Sequence, residues 1–176
     1  DMDTSNLTDM SSMFRLCENL TSINCDWDIS NVIHIKEMFH TCRKLSVLDV
    51  KNWDTSKITS MSYLFYNCNA LKTIDVRNWD VSKVTDVNQI FSYCIVLNEL
   101  DVSNWDVGNV INMQNMFNNC SNLTSLDVSN WNISNATNIS YLFYSCYSVL
   151  NLNVSNWDTK NITTMKSKSN SYTIPI

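Results

Sequence analysis

The sequence predicts a repeat solenoid: a coil of about six turns with a parallel β-sheet on one face and short helical or 3₁₀ turns on the other. Three observations predict it. The tryptophans Trp27, Trp53, Trp79, Trp105, Trp131 and Trp157 recur every 26 residues. The phenylalanines Phe14, Phe39, Phe65, Phe91, Phe117 and Phe143 recur with one step of 25 and then steps of 26. Cysteines Cys17, Cys42, Cys68, Cys94, Cys120 and Cys146 follow each phenylalanine by three. A unit of this length cannot bury its apolar positions alone, and stacking identical units gives a continuous core.

The clearest copy runs from Leu97 to Asn122. Its first half, Leu97-Asn98-Glu99-Leu100-Asp101-Val102, alternates apolar and polar residues as a half-exposed strand does. One short strand in a 26-residue turn falls within the leucine-rich repeat range. In-register strands would stack at about 4.8 Å. The second half carries Val110, Met113, Met116, Phe117 and Cys120. These steps of three predict a 3₁₀ turn or a short helix. Between the halves, Asp follows Trp in five copies (Asp28, Asp54, Asp80, Asp106, Asp158), and Asn132 does so in the sixth. Stacked carboxylates repel, so they are expected to be held by hydrogen bonds from backbone N–H groups. The copy between Phe14 and Trp27 is one residue short just before Trp27, and Cys25 takes the place of Val50 and its equivalents.

Composition agrees with the coil. The chain has one Gly and one Pro in 176 residues, against 26 Asn, 23 Ser and 14 Thr. Asn is therefore expected to do the turn work of Gly, since it tolerates the left-handed conformation. The coil is expected over residues 1–165, with residues 166–176 a polar tail or cap, because the repeat fails after Met165. Asp1 lies inside a repeat, which reads as a fragment or a processed piece of a longer chain. No run is apolar and long enough to insert in a membrane.

The run Leu123-Thr-Ser-Leu-Asp-Val-Ser-Asn-Trp131, followed by Leu-Phe-x-x-Cys, resembles the leucine-rich repeats of BspA-like bacterial surface proteins, in the variant seen in Mycoplasma lipoproteins. The resemblance covers about residues 1–165. It implies a right-handed solenoid, surface display and attachment to molecules of host or neighbouring cells. It brings no catalytic residues.

The formal net charge of −5 argues against a nucleic-acid partner, which needs clustered Lys and Arg. The six-cysteine column reads as a ladder of buried, reduced thiols, with disulfides between neighbouring turns as the other option. No C-x-x-C is present, so neither a metal nor another cofactor is expected. The tryptophans read as a buried ladder with the indole N–H bonded near the corner, or as a surface for stacking. His34 and His40 read as incidental surface residues.

The outward side of the strands is the first candidate binding face. Asp49, Asp75, Asp101 and Asp127 form one column. Lys51 and Arg77 lie two residues after it, and Val47, Thr73 and Glu99 two residues before it. Residues that vary between turns are better recognition candidates than the constant Asp. Tyr66 and Tyr144, with Tyr63 and Tyr141, are a second candidate on the convex side, since Tyr is favoured at interfaces. The expected function is non-enzymatic: a cell-surface or extracellular adhesion module with protein or glycan partners. The alternatives are a structural part of a virion or surface array, with lateral or end-to-end self-association, and an intracellular interaction scaffold.

Overall fold

The computed structural model describes residues 2–166, and they form one stack of turns. The last ten residues of the expected tail lie outside the described part. Lys166 itself still belongs to the coil: its carbonyl accepts the Tyr141 N–H at 2.8 Å and its N–H donates to Ser140 Oγ at 3.0 Å.

The core is a set of columns running through the stack. Phe39, Phe65, Phe91 and Phe117 are fully buried, and each ring stacks on the next with centroids 5.6–6.1 Å apart. The Trp rings form a parallel ladder at 6.0–6.5 Å. Each buried indole donates to a carbonyl of the preceding turn: Trp79 Nε1 to Val50, Trp105 Nε1 to Val76 and Trp131 Nε1 to Val102, all at 3.0 Å. The Cys ladder does the same beside the Phe column. Cys68, Cys94 and Cys120 Sγ donate to the carbonyls of Phe39, Phe65 and Phe91 at 3.1–3.2 Å. All seven thiols are free.

The β-sheet is much smaller than the sequence predicts. Among the described residues only β1 (Ser22–Ile23) and β2 (Val47–Leu48) are strands, paired in parallel, with one further bridge on this face, Thr73 to Glu99. The reason lies in the corner that follows. Asp49, Asp75, Asp101 and Asp127 accept the N–H two residues on, at 3.0–3.4 Å. The Val50 carbonyl is taken by the Trp53 N–H and the Trp79 indole. Donor and acceptor that would extend a ladder are already spent. A second ladder, which the sequence does not predict, runs the length of the coil: Asp9, His34, Ser60, Asp86, Asn112, Asn138 and Thr164 bridge in parallel, one residue per turn.

The expected helical or 3₁₀ segments are absent among the described residues. Three overlapping four-residue turns replace them. In one copy Met38, His40 and Cys42 donate to Ile35, Glu37 and Phe39, while the intervening N–H groups of Glu37, Phe39 and Thr41 donate to Ser62, Leu64 and Tyr66 of the next turn. The alternation requires a left-handed residue at the third position of the first and last turns, the type II signature. Glu37 (φ 58°) and Thr41 (φ 62°) occupy it, as do Tyr63 and Asn67, Gln89 and Tyr93, Asn115 and Asn119. The expectation for Asn is thus only partly met. Asn67, Asn115 and Asn119 are left-handed, but Tyr, Gln, Glu, Ser, Thr and Leu hold the other such positions. Gly108 is not among them.

The short copy is absorbed locally. Where Trp53 donates its N–H to Val50 three residues back, Trp27 donates to Cys25 two residues back, at 2.6 Å. One residue is lost from that turn, and the Trp53 indole still finds the Cys25 carbonyl at 3.0 Å.

Phe91 stacks on Phe65 and Phe117 and is 0% exposed. Phe91→Ala is expected to cost about 3–5 kcal/mol. Because each turn is held by its neighbours, the loss should also broaden urea unfolding by uncoupling the two halves. An unchanged midpoint would show that the column does not carry the stack.

Candidate interaction faces

The structure sorts the sequence-predicted residues onto two separate faces. Nine lie on the strand side. Val47 is 64% exposed on β2. Asp49 pairs with Lys51 at 3.1 Å and Asp75 with Arg77 at 2.9 Å, each within its own turn. Thr73, Asp75, Arg77, Glu99 and Asp101 line an open groove of about 400 Å³. It continues into a second of about 530 Å³ lined by Asp101, Ser103, Asp127, Ser129, Asn151 and Asn153. Val47, Asp49 and Lys51 flank these grooves without lining them. Among the described residues, no ion pair reaches Glu99, Asp101 or Asp127, so this face grades from paired charge to unpaired carboxylate.

Every Asp here is anchored. The Ser103 side chain and backbone bond Asp101, and those of Ser129 bond Asp127, at 2.7–3.1 Å. These bonds hold both carboxyls below the usual range. The column after Trp behaves alike: Ser56 lowers Asp54 and Ser82 lowers Asp80, outweighing repulsion from the Asp one turn back. A depressed folded-state pKa contributes stability above the unfolded value of about 3.9 and loses it as pH falls through the folded value. The carboxylates should therefore leave Tm unchanged from about pH 7 to 5 and lower it below about pH 4, while His40, whose pKa burial lowers, adds a smaller loss once pH falls below about 6.5. Thermal melts across that range check this, and a Tm rising into acid would refute it.

Tyr66 and Tyr144 are not on the strand side. They belong to the overlapping-turn side, where they are half-buried. Tyr66 sits in a cluster with His40, Tyr63 and Tyr93. His40 stacks on Tyr66 at 4.7 Å, Tyr93 meets Tyr66 edge-on at 5.7 Å, and Gln89 Nε2 donates to the Tyr63 hydroxyl at 2.8 Å. Burial, then the Arg15 charge, lowers the His40 pKa. Burial among the rings raises that of Tyr66. Tyr144 packs edge-on to Tyr141 at 6.0 Å, and the Tyr147 hydroxyl accepts a bond from Ser145. Reading His40 as incidental missed this packing, and Tyr93 and Tyr147 were missed as well. Tyr93 occupies a left-handed position held elsewhere by Thr41, Asn67 and Asn119, so its column gives no aromatic signal.

Burial keeps the six inner thiols protonated. Burial pushes Cys25 and Cys94 up to about 12 and Cys42 to about 11. Cys17 is the exposed end of the ladder. Since the thiolate is the reactive form, iodoacetamide at pH 8 should modify Cys17 alone in the native protein and all seven cysteines in denaturant. Mass spectrometry showing rapid native labelling at Cys94 or Cys120 would contradict the buried ladder. Among the described residues no group of three or more His, Cys, Asp or Glu is placed to hold a metal ion.

A coil of stacked turns with a Trp–Phe–Cys core and no helix among the described residues is a repeat solenoid. Its fold is shared with a T. pallidum leucine-rich repeat protein (TM-score 0.57, 17% identity, 91% of this chain and 67% of that one). It is shared also with a leucine-rich repeat protein from Eubacterium ventriosum (TM-score 0.53, 21% identity, 83% of this chain and 36% of that one). The present chain thus spans about two thirds and one third of their lengths. The chain belongs to the family described as Mycoplasma protein of unknown function, DUF285, which matches residues 1–74 and 69–173. No curated protein matches it.

Proposed function

We propose that the chain is a non-enzymatic binding and adhesion module displayed at a cell surface, offering its repeat-built faces to protein or glycan partners. One observation carries this reading: buried positions exchange mainly among apolar residues, while outward positions change in charge and polarity between turns. The Trp, Phe and Cys columns repeat without change through the buried core. The exposed position at Val47 becomes Thr73, Glu99, Ser125 and Asn151 in successive turns, and that at Lys51 becomes Arg77, Ser103, Ser129 and Ser155. Because the frame is held by the buried columns, each turn can present a different outward side chain, and the stacked turns together make a composite surface. Membership of a leucine-rich repeat class supports an interaction role.

The test is immunogold labelling of the source cells with antibody to the purified repeats. Label on intact cells is expected. Label confined to permeabilised cells would overturn surface display and favour an intracellular scaffold.

A further inference from the structure

Charge is distributed unevenly around the coil. Of 12 Lys+Arg and 17 Asp+Glu, none falls in residues 61–71, 87–97, 113–123 or 139–149, the overlapping-turn segments of four successive copies. These same segments hold six of the seven tyrosines. Between the Tyr66–Tyr93 cluster and the Tyr141–Tyr144 pair lies a turn of amides, where Asn118 donates to Asn115 at 2.7 Å. The Phe rings beneath step 6.1 and then 5.8 Å from one cluster's turn to the other's. Among the described residues, the buried side-chain atoms without a hydrogen-bond partner, Asn69 Oδ1, Asn88 Oδ1 and Ser92 Oγ, also fall within these segments, beneath the surface amides.

We propose that this uncharged face binds a neutral carbohydrate chain. The proposal deepens the binding-module reading and rests on it. A charged partner buried here would meet no countercharge, which is costly. A purely apolar partner would leave the Asn and Gln amides unpaired. A neutral sugar chain meets both demands. Its C–H faces stack on tyrosine rings, and its hydroxyls, each donor and acceptor, pair with the exposed amides. The two tyrosine clusters, two turns apart with the amide turn between them, suit an oligosaccharide better than a single sugar. The platform is also pre-formed, because alternate N–H groups beneath it are bonded to the next turn, so little ordering is required on binding.

The experiment uses the purified chain on a panel of immobilised neutral polysaccharides (glucan, mannan, galactan), heparin as an acidic glycan, and extracellular-matrix proteins. Binding to at least one neutral polysaccharide is expected, weakened about tenfold or more by Tyr66→Ala or Tyr93→Ala, as for loss of one stacking ring. Tyr66→Phe should keep the affinity, and Arg77→Ala with Glu99→Ala on the strand face should not change it. Melting curves exclude misfolding. Tyr93 is 41% exposed, so its variant is the safer of the two. Binding to heparin alone, or to a protein through Arg77 and Glu99, would overturn the neutral-glycan assignment and leave the binding-module reading standing. Absence of binding to the whole panel would also overturn the assignment, and surface labelling then judges the wider reading separately.

Discussion

Every turn of this coil buries carbonyls that no helix and little sheet are present to satisfy. A buried, unpaired backbone group costs on the order of a lost hydrogen bond. The repeated Trp and Cys answer that cost. The Val50 carbonyl receives the Trp53 N–H and the indole of Trp79, and the Phe39 carbonyl receives the Cys42 N–H and the thiol of Cys68. Both are side-chain donors reaching back one turn from an apolar body. Leu would fill the space at either position, but it would leave the oxygen bare. The column of rings, the column of thiols and the tight corners all follow from this one requirement.

How much was legible depended on which interaction a residue type could announce. Trp, Phe and Cys in step announced the core, and Asp or Asn at the corners announced the side-chain caps. The strand was overread, because its alternating pattern does not reveal that Asp101 and Trp105 take the neighbouring donor and acceptor. The helix was misread for a simpler reason. Val110, Met113, Met116 and Phe117 point inward at steps that fit a 3₁₀ turn and three overlapping β-turns equally well, and only the left-handed Asn115 and Asn119 separate the two. The ladder through His34, Ser60 and Asp86 was invisible, since its members share polarity and no strand propensity. Among candidate site residues, Thr73, Asp75, Arg77, Glu99 and Asp101 line one groove on the strand side, as their alternation along the strand segment implies. The Tyr66 cluster was half seen: its stacking on His40 and its contact with Tyr93 depend on the fold bringing three successive turns into contact.

The two faces differ in kind. The strand side carries carboxylates fixed by serine and lysine neighbours, with ion pairs at one end and none toward the other. The overlapping-turn side is uncharged over four turns, rich in rings and amides, and mounted on a backbone strained at non-glycine left-handed residues. Such residues cost of order 1 kcal/mol each and persist only where the surroundings hold them. Here the bonds from Tyr63, Asn67, Gln89 and Tyr93 to the following turn supply that hold.

The hydrogen bonds that join turns span 24–29 residues, reaching one turn and no further. No contact therefore counts how many turns there are. Insertion or deletion of one 26-residue unit would rebuild an equivalent interface on either side of it. Length is then a trait free to vary by whole units, and a lineage can widen or shorten its binding surface in single steps while the frame that folds it stays the same.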